Sequence, residues 1–576
     1  ARPETWRYRA GKFVGRNRVA VGAVALILLS LVGGNLATTY QAQQAERRFQ
    51  QVRKLAHAFL FEIHDHLQTL KGATGPREKL ARTALTYLEN LAEEAGQDPS
   101  LQFELATAYE KVGDVQGNPR GPNLGHADAA RQSLQKGLKL VETLVADRPN
   151  DIEARKLRAR IHYKLGDLQL DRGDVAAALE SFRQGLSGAE VLTSKAPNDS
   201  AGYLLMGGGY NRIGEAELRQ GEISAGLDNF EKASKLFSHW ETESSSDPSG
   251  SGLAEAQMRI GHGLMQRGDL SGALKSFRQA LVLREKLRQA SPAHLLNRRE
   301  LSSIYRMAGN VLGDPRYLNL GKPAAALVYY RKSMAIDQEL AAVDLKDARA
   351  RLDLSISYGK VGTALRDLDS RQSTEILRRA LTLTESLLKS APGNAQLLDL
   401  QALNYAGLAY ALWKTGDLQV AVETYRQALG VHEKIPPGDP EWLVFRQNLA
   451  TICLEFGDLL LESGDAWAAQ QRYEEALAVL RALAPHNPNR IIWQLALADC
   501  YERMGKLHAA LGANSKTPRT QRIQHWQEAL SWYQKSQDVW ERWDQLAVSS
   551  VFNEQRSNQA FQSIALCEQA LAKFTW

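Results

Sequence analysis

The stretch Leu165–Gly185, LGDLQLDRGDVAAALESFRQG, decides how the rest of the chain is read. Leu165-Gly166 is followed by a Gly173-Asp174 turn, then by Ala178, Phe182 and Gly185 at spacings of four and three. Those spacings place the last three on one helical face. A large ring between two small residues lets a second helix approach closely, while Gly-Asp stops one helix and starts the next. The stretch predicts a helical hairpin.

The same ruler fits nine times. Its small position is filled by Gly113, Gly166, Gly214, Gly261, Gly309, Gly362, Ala409, Gly457 and Gly505, each preceded by an apolar residue. Four residues upstream stand Tyr109, Tyr210, Tyr305, Tyr358, Tyr405 and Tyr501 in six of the nine copies. The second-helix ring recurs as Phe182, Phe230, Phe277, Tyr330, Tyr425, Tyr473 and Tyr533, with Leu134 and Leu377 in the other two copies. Leu-Gly, then Ala-x3-Phe, then Pro resembles the tetratricopeptide repeat. The copies are longer than that family's, so the helices of each hairpin are expected to be about two turns longer. Gly113, Gly309 and Gly505 share a larger spacing, as do Gly166 with Gly362 and Gly261 with Gly457, which implies duplication of a four-hairpin block.

The fold class expected is all-α: a tetratricopeptide-like α-solenoid of about nine long hairpins, right-handed, preceded by one transmembrane helix. A repeat array needs no single large core, so 576 residues pose no difficulty. Residues 1–18 hold six basic residues and one acid, and the other 558 carry 65 basic against 64 acidic groups. A neutral array has no electrostatic footprint for nucleic acid. Three cysteines exclude a disulfide framework, and Cys453 and Cys500 fall at or beside buried positions, as thiols.

The chain opens on Ala1 rather than Met, which suggests a processed or truncated start. Residues 19–39 carry no charge and would span about 31 Å as a helix, enough for a bilayer core. A cleaved signal peptide is the competing reading. Basic residues before the span outnumber those after it, which puts residues 1–18 in the cytoplasm and 40–576 outside. Residues 40–70 read as a continuing helix, with Phe49, Val52, Leu55, Phe59, Ile63, Leu67 and Leu70 in one stripe. A second copy in a homodimer, or the following helix Arg77–Ala95, is expected to cover it. His57, Glu62, His64, Asp65 and His66 read as a solvated face, and no metal or cofactor is expected. The segments are 1–18 basic, 19–39 membrane, 40–95 juxtamembrane, 96–549 repeats and 550–576 a capping helix. The cap's apolar side is expected to carry Phe561, Ile564, Ala565, Leu566 and Leu571, with Trp526, Trp532, Trp540 and Trp543 in core or cap.

No catalytic motif is legible. Gly207-Gly208-Gly209 lies inside a first helix rather than after a strand, and no nucleophile-base spacing stands out. Two nearly identical loops remain, GNPRGPNLG at 117–125 and GDPRYLNLG at 313–321. They read either as rigid connections or as ligand contacts through Arg120, Asn123, Arg316 and Asn319.

The basic segment RPETWRYRAGKFVGRNR, the span, RRFQQVRKLAHAFLFEIHDHL and ELATAYEKVGDVQGNP together resemble the C-terminal half of bacterial membrane-bound, eukaryote-like serine/threonine protein kinases. That resemblance implies a single-pass bacterial inner-membrane protein whose repeats lie outside, acting as sensor or scaffold for a protein or peptide; it carries over no catalytic residue. A non-signalling scaffold, secreted or anchored, is the alternative. The tetratricopeptide family's inner face, carried onto this register, implies a ligand surface of Glu110, Asp114, Arg160, Tyr163, Asp167, Asn211, Glu215, His262, Arg306, Asn310, Tyr410 and Trp413. Asp458, Asp499 and Glu502 continue it, and acids at its N-terminal end suggest a partner with basic and apolar segments.

Overall fold

A computed structural model describes the chain apart from residues 1–5, 58–73, 96–97, 122, 198, 244–246, 293, 437–441, 484, 486–489, 546–550 and 575–576. The described residues form 22 helices and no strand. Helix Trp6–Arg16 and the long helix Arg18–His57 come first, then Thr74–Ala95. Within the long helix, Arg18–Gln41 is the one described segment long and apolar enough to cross a membrane, and none of it is buried against the rest of the protein. Much of the apolar stripe expected beyond it, with Glu62, His64, Asp65 and His66, lies outside the described residues.

Nine hairpins follow, at the predicted register. Hairpins 1 to 5 pair Pro99–Gly117 with Ala127–Asp147, Ile152–Asp171 with Val175–Lys195, Ser200–Gln220 with Ile223–Glu243, Asp247–Arg267 with Leu270–Ala290, and Leu295–Gly313 with Pro323–Val343. Hairpins 6 to 9 pair Ala348–Leu365 with Ser370–Leu388, Ala395–Thr415 with Leu418–His432, Trp442–Glu462 with Ala466–Leu483, and Ile491–Ala513 with Arg519–Gln545. The chain is an all-α tetratricopeptide-like solenoid.

A glycine–ring contact joins the two helices in six of the nine hairpins; Leu134 and Leu377 take the ring's place in hairpins 1 and 6, and Ala409 the glycine's in hairpin 7. A methyl group placed on Gly261 would lie 2.7 Å from a ring carbon of Phe277, and one on Gly505 equally close to Tyr533. Phe182, Phe230 and Phe277 are fully buried in this way. The turns follow local chemistry. Gly173 adopts φ 78°, open to glycine at no steric cost, and Asp174 then accepts from the Ala177 amide to cap the second helix.

All three cysteines are buried and unpaired, as expected for Cys453 and Cys500. Trp540 and Trp543 are core, their rings edge to face at 5.1 Å, and Trp526 is buried beside Tyr533. The terminal helix, Val551–Ala572, differs from expectation in which side it buries. Ala560, Ile564, Cys567 and Leu571 face the ninth hairpin at helical spacing, which turns Phe561 and Leu566 out to solvent.

The array closes on itself. The Ala348 amide of hairpin 6 donates to the Asn123 carbonyl in the loop of hairpin 1, and Gln396 of hairpin 7 donates to the Asp171 carbonyl of hairpin 2. Repeats five apart therefore touch across the axis, and the two long loops point into the space that the first helices enclose.

Candidate functional site

The inner wall is built from the residue just after each small position. There Asp114, Asp167, Glu215, His262, Asn310, Thr363, Tyr410 and Asp458 succeed one another along hairpins 1 to 8. The residues three before the small position, expected on the same surface, are Glu110, Tyr163, Asn211 and Arg306, and Arg306 lines a cavity beside Asp167, Glu215 and His262. All four are buried. Tyr163 lies against Gly185 and Gly209 and donates its hydroxyl to the Leu205 carbonyl at 2.9 Å. Arg306 pairs with Asp337 and Asp353 at the edge of that cavity. On a helix the two positions are four apart and so lie on one face, a turn from each other. Trp413 is likewise buried, and Asn310 accepts a hydrogen bond from Tyr330 at 2.9 Å.

The acids of the first four hairpins are already engaged. Glu110 takes both Arg160 and Lys164, and these cations hold its buried carboxyl at about 2, overriding a desolvation that pushes the other way. Lys164 also reaches Asp114. Asp167 receives Arg212 at 3.0 Å, and Glu215 and Glu255 share Arg259. The decisive side chain comes from the loop. Arg120 extends across three hairpins to meet Asp167 at 2.9 Å, Glu215 at 3.0 Å and Glu255 at 3.1 Å. The acids of the expected groove are thus paired with the protein's own arginine, and the cavity that remains among them, of about 280 Å³, is lined by Arg120, Asp167, Glu215, Glu255, His262 and Arg306. Beside it His262, desolvated, falls to about 4 and stays neutral at physiological pH.

The second loop repeats the backbone but not the reach. Asn123 and Asn319 each donate to two carbonyls of their own loop and accept from the amide of Gly125 or Gly321, so both staple their loops. The turn starter differs: Asn118 in the first loop, Asp314 in the second. Asp314 captures Arg316 through two nitrogens and also takes Lys360 at 2.6 Å. Burial, then the Arg316 charge, lowers Lys360 to about 8. The places of Asp167, Glu215 and Glu255 are taken in the second block by Thr363, Tyr410 and Thr451. With no acid to reach for, Arg316 stays home.

A cavity of about 370 Å³ lies there. Arg316, Thr363, Arg366, Thr451, Glu455 and Arg503 line it, over an apolar floor of Leu454, Ile492 and Leu495. Arg366 pairs with Glu455 at 2.6 Å and lies 4.2 Å over the Tyr410 ring, whose hydroxyl donates to Asp367. Arg503 binds Asp458 through Nε. Arg556 of the terminal helix meets Asp499 and Glu502, so those two acids anchor the cap.

One further cluster escaped sequence reading. His508, His525 and Glu528 of hairpin 9 converge. His525 and Glu528 are three apart on one helix, a signal present in the sequence. His508 lies on the partner helix, and only the hairpin brings it in.

The sequence profile named tetratricopeptide repeat matches residues 123–191 and 406–491. The chain carries tetratricopeptide repeats. No curated protein sequence matches it. Among solved structures it is similar to a Rap protein complexed with Competence and Sporulation Factor, at 13% identity over 73% of this chain and 98% of that one, TM-score 0.40. It is also similar to yeast Tom70, at 15% identity over 89% and 96%, TM-score 0.31. A third is MamA from Desulfovibrio magneticus RS-1, at 17% identity over 41% and 96%, TM-score 0.25. At these values the likeness is one of serial helical hairpins and extends no further.

Proposed function

We propose that the array is a scaffold for a protein or peptide partner, held on the inner wall of hairpins 5 to 9. The observation that carries this reading is the asymmetry between the blocks. In the first, Arg120 is matched by three carboxylates, and the cavity of about 280 Å³ beside it is walled mainly by charges already paired with one another. In the second, those carboxylates are replaced, Arg316 is tied back to Asp314, and a cavity of about 370 Å³ stays open over an apolar floor. Its dimensions suit one or two apolar side chains of an extended segment, with Arg366, Glu455 and Arg503 available to polar groups beside them. Of the residues implied by the tetratricopeptide resemblance, Tyr410 belongs to this surface. Arg160, Asp114, Asp167, Glu215 and His262 belong to the charge-paired wall of the first block.

A photo-crosslinking residue at Thr451, compared with one at the outward-facing Leu418, tests the site. Adducts are expected from Thr451 alone, and Thr451→Arg, which fills the cavity, is expected to abolish them. Equal adducts from both positions would remove the inner wall from consideration.

On the sequence resemblance rests a finer proposal: this scaffold is the extracytoplasmic sensor part of a bacterial inner-membrane serine/threonine kinase. Residues 1–18 are then cytoplasmic, residues 40–576 lie outside, and the juxtamembrane helix pairs with that of a second copy. Reading the gene upstream of Ala1 tests it. A frame without kinase motifs there favours a non-signalling assembly scaffold.

A further inference from the structure

The two helices of the last hairpin are crossed by an arrangement that packing alone does not require. His508 projects from Ile491–Ala513 toward His525 and Glu528, which lie three apart on Arg519–Gln545 and so share a face. His508 Nδ1 is 3.2 Å from His525 Nδ1 and 2.8 Å from a Glu528 oxygen, and the third side of the triangle is 3.9 Å. Ligand atoms about 2.0–2.1 Å from a tetrahedral ion stand about 3.3 Å apart. The three observed separations bracket that edge, so one ion placed over the triangle reaches all three atoms with small side-chain adjustments.

The surroundings favour a cation. The charged groups acting on His508 are Glu528 and, from hairpin 8, Glu474, both anionic, with the His525 ring. The nearest arginine along the helix, Arg522, is turned away, its Nε donating to the Gly512 carbonyl and its guanidinium over the Phe574 ring. Exposure is graded: the side chain of His508 is 7% exposed, that of His525 25% and that of Glu528 38%. One side of the triangle is thus protein and the other faces solvent, which gives an ion a way in and leaves room for water.

We propose that His508, His525 and Glu528 form a binding site for a divalent transition-metal ion. Two imidazoles and one carboxylate suit Zn²⁺ in particular, with a water completing the tetrahedron. The ion would cross-link the two helices of hairpin 9, next to the terminal helix that closes the array. The sequence distance of seventeen residues between His508 and His525 is set by the hairpin, so a folded hairpin pre-organises the site.

The test uses the full chain in detergent, stripped with a chelator and titrated with Zn²⁺ alone. One equivalent is expected to bind, and Co²⁺ in its place is expected to show the visible absorption of a tetrahedral site. His525→Ala and Glu528→Gln are each expected to weaken Zn²⁺ binding by at least about 10-fold, the scale on which single contacts around a bound metal act. His126→Ala, on hairpin 1, is expected to leave binding unchanged. Amide exchange gives a second readout, independent of any variant. At free Zn²⁺ about 100 times Kd, opening of hairpin 9 is expected to slow by about 100-fold, with hairpins 1 to 4 unaffected. No saturable Zn²⁺ binding by the stripped protein, or binding that survives both His525→Ala and Glu528→Gln, overturns the proposal. Retained helicity of the metal-free variants separates loss of the site from loss of the fold.

Discussion

Arg120→Met removes one charge and keeps the aliphatic stem, and it is expected to loosen hairpins 2 to 4 although the residue belongs to hairpin 1. Three carboxylates face three arginines there: Arg120, Arg212 and Arg259 against Asp167, Glu215 and Glu255. The substitution leaves two arginines for the same three acids. Breaking a fully buried ion pair costs about 3–5 kcal/mol and an exposed one about 0–1. The Arg120 side chain is 28% exposed, and each acid keeps a second partner, so about 2 kcal/mol is expected, less at high salt. A repeat array does not unfold in one step, so the readout is amide exchange resolved by helix. About 2 kcal/mol corresponds to roughly 30-fold faster opening of Ile152–Asp171, Ser200–Gln220 and Asp247–Arg267. Arg316→Met is the control: Asp314 retains Lys360, and the acids that would answer Arg316 are absent, so the expected loss is smaller. The pH dependence has a definite sign. Arginines hold the Glu255 carboxyl at about 2, below its ordinary 4.5. Its stabilisation is therefore complete above about 4.5 and is lost as the pH falls toward 2, and the difference between Arg120→Met and the parent must shrink over that window. Equal losses for the two variants, or a difference indifferent to pH, would refute the claim that Arg120 clamps the first block.

Other outcomes follow from the same geometry. Gly261→Ala places a methyl group 2.7 Å from the buried Phe277 ring and 3.1 Å from the Ala273 carbonyl, so it should destabilise hairpin 4 by about 1–3 kcal/mol in a chemical melt, despite alanine's better helix propensity. Tyr163→Phe should cost about 1 kcal/mol through the lost bond to Leu205, with hairpin 3 opening faster in exchange and partner capture unchanged. Charge reversal at Asp114, Asp167 and Glu215 together should lower the melting curve, because Lys164, Arg212, Arg120 and Arg259 lose their partners; an unaltered curve would show that these pairs contribute nothing. Reporter fusions after Thr39 should be active only outside the cytoplasm if residues 40–576 are extracytoplasmic as proposed.

Local chemistry made the fold legible before any coordinates. The glycine that admits a ring, the ring sixteen or more residues later, the Gly-Asp turn and the apolar run at 19–39 each act through neighbours in sequence or through a repeated helix pair. Nine copies of that pairing could be counted from Gly113 to Gly505, and the structure places the hairpins where they were counted. What the sequence could not decide was which polar residues face open space. Tyr163, Asn211 and Arg306 carry the tetratricopeptide family's inner-face register, yet all three are buried in the stacked array. The two loops look alike in sequence, and one acid in place of an amide, Asp314 for Asn118, sends their arginines to different ends. Arg120 meets acids from three later hairpins, and His508 meets His525 and Glu528 across a hairpin, because superhelical curvature and helix pairing set those distances. Periodicity along a chain specifies each hairpin, since its contacts are local. The inner wall is made by residues tens to hundreds of positions apart, and only the stacked array brings them face to face.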